Sequence, residues 1–257
     1  IQTKMKRLLF VVIVFCVTAQ ISDAQLWKLR RWEAQVGVGP SFFFPDIGGY
    51  THGENILGFK DLNYRQTRFN VNGNLRYRLG RTANVRLSGT YAMLHAIDER
   101  GSNENRGYEA VTNLFEPAII GEFYFIKNKY ESSYLFLRGK SLWALLSSLD
   151  FYAFAGVGGA AYKVNPNEAL TQRGITEPGS TKFEGIDVII PAGVGATLIY
   201  NPNLNFGVEF GGRWAKTDYL DGFDPAVVSK VNDKYYFLNF TVTYKLKTTA
   251  RGFPSFR

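Results

Sequence analysis

The sequence predicts an all-β protein: an eight-stranded antiparallel transmembrane barrel of the outer-membrane kind, with long extracellular loops and an enlarged periplasmic connection between strands four and five. Three observations carry this. Residues 68 to 79 alternate without a break, with Arg68, Asn70, Asn72, Asn74, Arg76 and Arg78 on one face and Phe69, Val71, Gly73, Leu75, Tyr77 and Leu79 on the other. A half-buried strand in a soluble protein runs about 5 to 6 residues, whereas a strand tilted across a bilayer needs about 9 to 11. The alternation recurs along the chain between connections that are by turns long and short, and the N-terminus reads as an export signal.

In that signal, Lys4, Lys6 and Arg7 precede an apolar run from Leu8 to Val17, and Ser22, Asp23 and Ala24 place small residues three and one before Gln25. Cleavage is expected before Gln25, dividing the chain into a removed signal peptide (1–24), a barrel (25–246) and a short periplasmic C-terminal tail (247–257), with Met5 as the start of translation. The one cysteine, Cys16, sits in the apolar run behind the bulky Phe15, which argues against a lipid anchor. A mature chain without cysteine excludes disulfides, thiol catalysis and Cys-ligated metals. Cleavage lowers the formal charge from +8 to +6. The remaining basic residues are dispersed rather than clustered, which argues against a nucleic-acid partner. Beyond residue 24 no stretch approaches the roughly 18 apolar residues of a spanning helix.

The strands follow in order. The first covers 33 to 43, with Glu33, Gln35 and Ser41 opposite Ala34, Val36 and Phe42. The second and third form a hairpin around Gly80 to Thr82, the third placing Val85, Leu87, Tyr91 and Met93 opposite Asn84, Arg86, Ser88 and Thr90. The fourth covers 113 to 125, with Phe115, Ile119 and Phe123 outward and Glu116 and Glu122 inward. The fifth, 150 to 163, is so rich in Gly and Ala that its facing is ambiguous. The sixth covers 186 to 200, the seventh 205 to 215 with Glu209 and Arg213 inward, and the eighth 235 to 246 with Phe240 and Tyr244 outward. Pro117 and Pro191 interrupt strands four and six and are expected to mark bulges or bonds lost to lumen water.

Long connections after strands one, three, five and seven belong outside the cell, and short turns belong in the periplasm, which puts both termini there too. Residues 126 to 149 break this rule by their length. Within them Leu142, Trp143 and Leu146 read as a short amphipathic or interfacial helix that, with Tyr134, forms a possible periplasmic docking segment or simply an insertion against the barrel mouth.

Inside, Arg68, Arg76, Arg78 and Arg86 face Glu116, Glu122 and Glu209. An eight-stranded lumen is only wide enough for side chains to fill, so these residues make either a salt-bridged plug or a gated or proton-conducting path. No catalytic, cofactor-binding or metal-binding residues are assigned. The histidines, His52 and His95, stand apart, and His95 with Ser88 and Asp98 has no motif spacing for a hydrolase. The glycine-rich stretches at 156–159 and 193–195 lie within strands rather than opening helices, so they are not phosphate loops.

Two segments carry a family resemblance. Phe44-Pro45-Asp46-Ile47-Gly48-Gly49 resembles the F-x-D-I/L-G element that follows strand one in PorG-type outer-membrane barrels of the type IX secretion system of Bacteroidetes. Phe210 to Gly222, containing Arg213, Thr217, Asp218, Asp221 and Gly222, resembles that family's G-x-R-(Y/W)-x-x-T-D-x-L-D-G signature. The resemblance implies a non-enzymatic barrel without cofactor that positions a periplasmic ring made by a PorK-type lipoprotein and a PorN-type partner, for export of proteins with C-terminal sorting domains. The Asp218 to Gly222 loop then reads either as self-capping, with Arg213 reaching a carboxylate at the rim, or as contacting a partner or cation. An OmpA-like structural or adhesin barrel, binding host or lipid through its outer loops, is the alternative, and a lipid-modifying enzyme a third.

Overall fold

The computed structural model describes residues 30–48, 64–99, 105–128, 133–134, 141–224, 233–249 and 253–255. The expected signal peptide, its cleavage site and His52 lie outside the described residues. Eight antiparallel strands follow one another around a barrel: β1 (Trp32–Phe44), β2 (Arg68–Arg78), β3 (Ala83–Ile97), β4 (Glu109–Ile126), β5 (Leu149–Pro166), β6 (Glu184–Ile199), β7 (Leu204–Ala215) and β8 (Lys234–Thr248). Pairing of β1 with β8 closes it, so the eight strands leave no open edge along the seam. Among the described residues two short α-helices lie in the connections, α1 (Leu142–Ser147) and α2 (Glu168–Thr176), and a single 3-10 turn, Tyr64–Gln66, precedes β2.

Closure fixes the tilt. Following paired residues once around, Trp32 leads through Tyr77, Val85, Gly121, Ala155, Ala192, Gly212 and Tyr236 back to Phe42, ten residues further along β1. That stagger tilts the strands and sets an interior that side chains fill. The wall is apolar: Val36, Leu87, Ile119, Val157 and Phe240 are each more than half exposed. The outward residues of the spanning strands are predominantly apolar, while the inward residues across the middle of the same strands are polar and charged, so the barrel is a transmembrane one.

The ambiguous facing of β5 resolves into strict alternation, with Tyr152, Phe154, Ala160 and Tyr162 inward. Small residues there hide the period because a glycine carries no polarity. The expected proline bulges do not occur. Partnering between β4 and β5 lapses around Pro117 and resumes in the same register, and between β5 and β6 it lapses around Pro191 in the same way. Each proline keeps its other neighbour, Gly89 and Arg213 respectively. A third lapse surrounds Pro40 in the closing seam. The missing N–H groups are thus absorbed as local gaps. The one register shift in these ladders lies between Tyr124 and Ile126, where β4 leaves the barrel.

The two ends differ. At one, tight turns join β2 to β3 and β6 to β7. Leu79 and Gly80 both donate to the Ala83 carbonyl, and the Asn201 side chain accepts from the amides of Asn203 and Leu204. The same end carries Arg30 and the tail, which does not hang free: Pro254–Ser255 (β9) folds back on Lys247 and Thr248. The 164–185 connection at the opposite end contains α2, where the sequence predicts only loop. Asn167 caps it by accepting from the Leu170 amide, and Leu170 is fully buried.

The closing seam gives a test. A Cβ at Gly39 would collide with the Leu238 carbonyl oxygen across the β1–β8 pair, whereas a Cβ at Gly73 would meet nothing. Gly39→Ala is therefore expected to destabilise the barrel by at least about 1–3 kcal/mol, and Gly73→Ala to stay within about 0.5 kcal/mol. Urea unfolding in lipid vesicles, with heat-modifiable gel mobility as the readout of closure, compares them; equal effects would contradict this account of the seam.

Candidate functional site at the two ends of a plugged lumen

Nearly every predicted plug residue meets a partner. Arg76, on β2, is 1% exposed. Its Nε donates to Glu122 at 3.0 Å and its Nη1 to Glu33 at 3.2 Å, while Nη2 lies 3.7 Å from Glu209. Arg86, the residue opposite on β3, pairs Nη1 with Glu209 at 2.7 Å and Nε with Glu122 at 3.3 Å. Arg78 reaches Glu33 at 3.8 Å. Tyr152 donates to Glu209, Gln35 donates to Glu209 as well, and Asn84 donates to Glu122. The guanidiniums also lie over rings, Arg76 over Tyr152 and Arg86 over Phe154. Three arginines thus interlock with three glutamates contributed by β1, β4 and β7.

A second pair lies nearer the loop-bearing end. Arg213 donates Nε to Glu116 at 3.3 Å and stands 4.2 Å over the Phe237 ring, and Tyr235 donates to the other Glu116 oxygen at 3.0 Å. Arg213 therefore points into the lumen, as its inward place on strand seven predicts, and its carboxylate partner is the lumen residue Glu116 rather than one at the rim. Arg68 is not part of the plug. It is only half-buried at the strand end, and its Nη1 donates to the carbonyls of Arg65 and Thr67. Glu33, Gln35 and Tyr152 complete the network; the first two share the inward face read from β1, whereas Tyr152 was hidden by the ambiguity of β5.

Charge does not fill the whole interior. Above Arg213 the lumen is a hydrophobic core, including Leu94, Leu114, Ile189 and Phe237, and the loops extend it with Ile47, Leu170, Leu220 and Phe223. The two segments that carry the family resemblance meet here. The Asp221 carboxylate, fully buried, accepts from the Ile47 amide at 3.0 Å and from the Phe223 amide at 2.9 Å. Asp233 accepts from the Leu220 amide, and Thr217 accepts on its hydroxyl from the Tyr219 amide. Gly48 and Gly222 both have left-handed backbone, at φ 85 and 84, where a side chain would be strained. The Gly48 amide donates to Asp98, which Arg106 grips with two nitrogens while its third contact reaches the Asp46 carbonyl. The signature loop is a cap latched to the barrel.

Carboxylates crowd this cap. Burial, with Asp46 and Asp224 close by, pushes the Asp218 carboxyl up to about 7. Asp221 and Asp233 are raised as well, each by burial first, against the pull of the amides they accept from. Among the described residues no three acidic or histidine side chains are arranged to hold a metal ion. His95 pairs with Glu109 at 3.0 Å, while Asp98 is taken by Arg106 and Ser88 faces the lumen from the opposite side of β3, so those three do not form a triad.

At the tight-turn end the described part of the long connection is tied to the ends of β5 and β6. The Asn128 amide donates to Asp150 and the Ser133 hydroxyl to the Tyr200 carbonyl. Tyr134 is half-buried there, and α1 presents Leu142, Trp143 and Leu146 to the outside. Residues 129–132 and 135–140 of the expected docking segment lie outside the described residues.

No protein-family profile matches the chain, and no curated protein matches it. Among solved structures it is similar to Neisserial surface protein A (NspA), at 11% identity and a TM-score of 0.48, over 83% of this chain and 96% of that one. It is similar also to a major outer membrane protein of Thermus thermophilus (12%, TM-score 0.44, 83% and 98%) and to the outer membrane protein OprG of Pseudomonas aeruginosa (10%, TM-score 0.39, 85% and 98%). The transmembrane reading rests on the apolar wall and the closed register, not on these likenesses.

Two outcomes are expected. Arg76→Met leaves Glu33, Glu122 and Glu209 short of a buried cation and should cost about 3–5 kcal/mol in urea unfolding from vesicles, whereas Arg68→Met should stay within about 0.5 kcal/mol. Equal effects would contradict a plug centred on Arg76. For the cap, a carboxyl raised on folding stabilises most below its unfolded value, and that contribution is lost as pH rises through about 7. Intrinsic-rate-corrected amide exchange should therefore show the Ile47 and Leu220 amides better protected near pH 5 than near pH 8. Asp218→Asn should reduce the difference, and a wild-type cap indifferent to pH would refute it.

Proposed function

We propose that the protein is a non-conducting, non-enzymatic outer-membrane component of the type IX secretion system. It positions a PorK-type ring lipoprotein and its PorN-type partner at its periplasmic end for export of proteins with C-terminal sorting domains. The observation that carries this reading is the distribution of order: paired charges and a hydrophobic layer above them occupy the lumen, and the two segments resembling the PorG-type family join in one cap through Asp221. A barrel with no passage acts through its ends. The tight-turn end, assigned to the periplasm by its short turns, carries the oversized β4–β5 connection and the folded-back tail, and these are the surfaces offered to a ring.

A second reading is favoured by one observation. At the loop-bearing end Ile186 on β6 and Ile175 on α2 are 79% and 68% exposed, as in a barrel that binds another surface through its outer loops. Protease treatment of intact cells separates the two, since a loop adhesin loses function on shaving and a ring anchor does not.

Replacing residues 129–140 with a short Gly/Ser linker, leaving α1 and every strand in place, tests the first reading. The variant should retain heat-modifiable mobility yet lose co-purification of a ring lipoprotein from detergent-solubilised outer membrane. Undiminished recovery would remove this connection from the docking surface.

A further inference from the structure

We propose that α1 lies in the membrane–water interface beside the tight-turn end, with its Leu142, Trp143 and Leu146 face in lipid. These side chains are 78%, 81% and 53% exposed, and their spacing places them on one face of the helix. A helix of six residues gains too little from its own hydrogen bonds to stand alone in water, so its stability depends on what its apolar face covers.

Continuity with the lipid-facing wall identifies the covering. On its C-terminal side α1 is tied directly to the barrel: the buried Ser148 donates its N–H to the Leu145 carbonyl and accepts from the Ile199 amide. The next residue, Leu149, opens β5 paired with Leu198 on the outward side. On the other side of the connection, β4 ends with Phe125 and Ile126, both 54% exposed. The helix therefore interrupts a connection that leaves the apolar wall and returns to it. A tryptophan at such a boundary places an apolar ring in the headgroup layer with its N–H toward water.

Charge points the same way. Between the end of β4 and α1 the chain carries Lys127, Lys129, Arg138 and Lys140 against Glu131 alone. Basic residues flanking an apolar helical face fit an anionic bilayer surface. The inference rests on the membrane-spanning wall and not on the secretion-system reading, so either can fail without the other. It also narrows that reading, because lipid would occupy the apolar face and leave the polar part of the connection for a protein partner.

The full chain refolded into phosphatidylethanolamine–phosphatidylglycerol vesicles tests it. The difference in emission between wild type and Trp143→Phe isolates Trp143, an exposed position whose replacement leaves the barrel intact. The difference for Trp214→Phe gives a wall residue as reference. With acyl chains brominated near the headgroup, Trp143 is expected to lose emission to an extent similar to Trp214 and to resist aqueous acrylamide. Emission indifferent to brominated lipid and readily quenched by acrylamide would overturn the proposal. Shielding of Trp143 that appears only when a periplasmic protein is added would overturn it too, making the helix a protein-docking face.

Discussion

Arg76 sits where the barrel can least tolerate an unpaired charge: its strand closes against β1 and β3, its side chain is 1% exposed, and three glutamates converge on it. Removing such an ion from water costs several kcal/mol unless geometry and additional hydrogen bonds compensate. Compensation requires Glu33, Glu122 and Glu209 at particular heights on three different strands, and those heights are set by the stagger that returns Trp32 to Phe42 around the barrel. Register and plug thus enforce one another. A one-residue slip of any of these strands would turn its own inward glutamates toward lipid.

With Arg86 held between Glu122 and Glu209, and Arg213 held by Glu116, the interior charges are committed to one another. Above them the hydrophobic layer around Leu94, Leu114 and Phe237 is sealed by Ile47, Leu220 and Phe223 from the loops. Ile47 and Leu220 of that seal belong to the two segments that resemble the PorG-type family. Gly48 and Gly222 supply backbone shapes, and Asp221 supplies the acceptor that joins them. Asp221, Gly48 and Gly222 thus serve as architecture in the cap.

Alternating polarity makes β2, β3, β7 and β8 legible, because one face meets lipid and the other meets charge. It also brings out most of the plug, since inward Arg and Glu on long dyad strands have nowhere else to go. Where alternation fails, information is lost for physical reasons. Gly156, Gly158 and Gly159 carry no polarity, so Tyr152 is missed although its hydroxyl binds Glu209. The prolines look like bulges because a sequence shows the absent donor but not that a ladder can skip a step in register. Arg68 shares its strand face with Arg76 yet lies at the end of the pairing, where carbonyls of its own chain are nearer than any lumen glutamate. The cap depends on contacts such as Ile47 with Asp221, 174 positions apart, which no local pattern reveals. Helix α2 escapes notice because its signals are brief, an Asn cap and the single buried Leu170.

A lumen occupied by this ion-pair network and the hydrophobic layer above it is expected not to conduct. Single-channel recording of the purified barrel in a planar bilayer at neutral pH tests it most directly. The ion-pair network and the hydrophobic layer above it require a flat trace, with no resolved conductance steps. Regular, reproducible steps from the wild-type barrel would contradict the plug and return the search for function to the lumen.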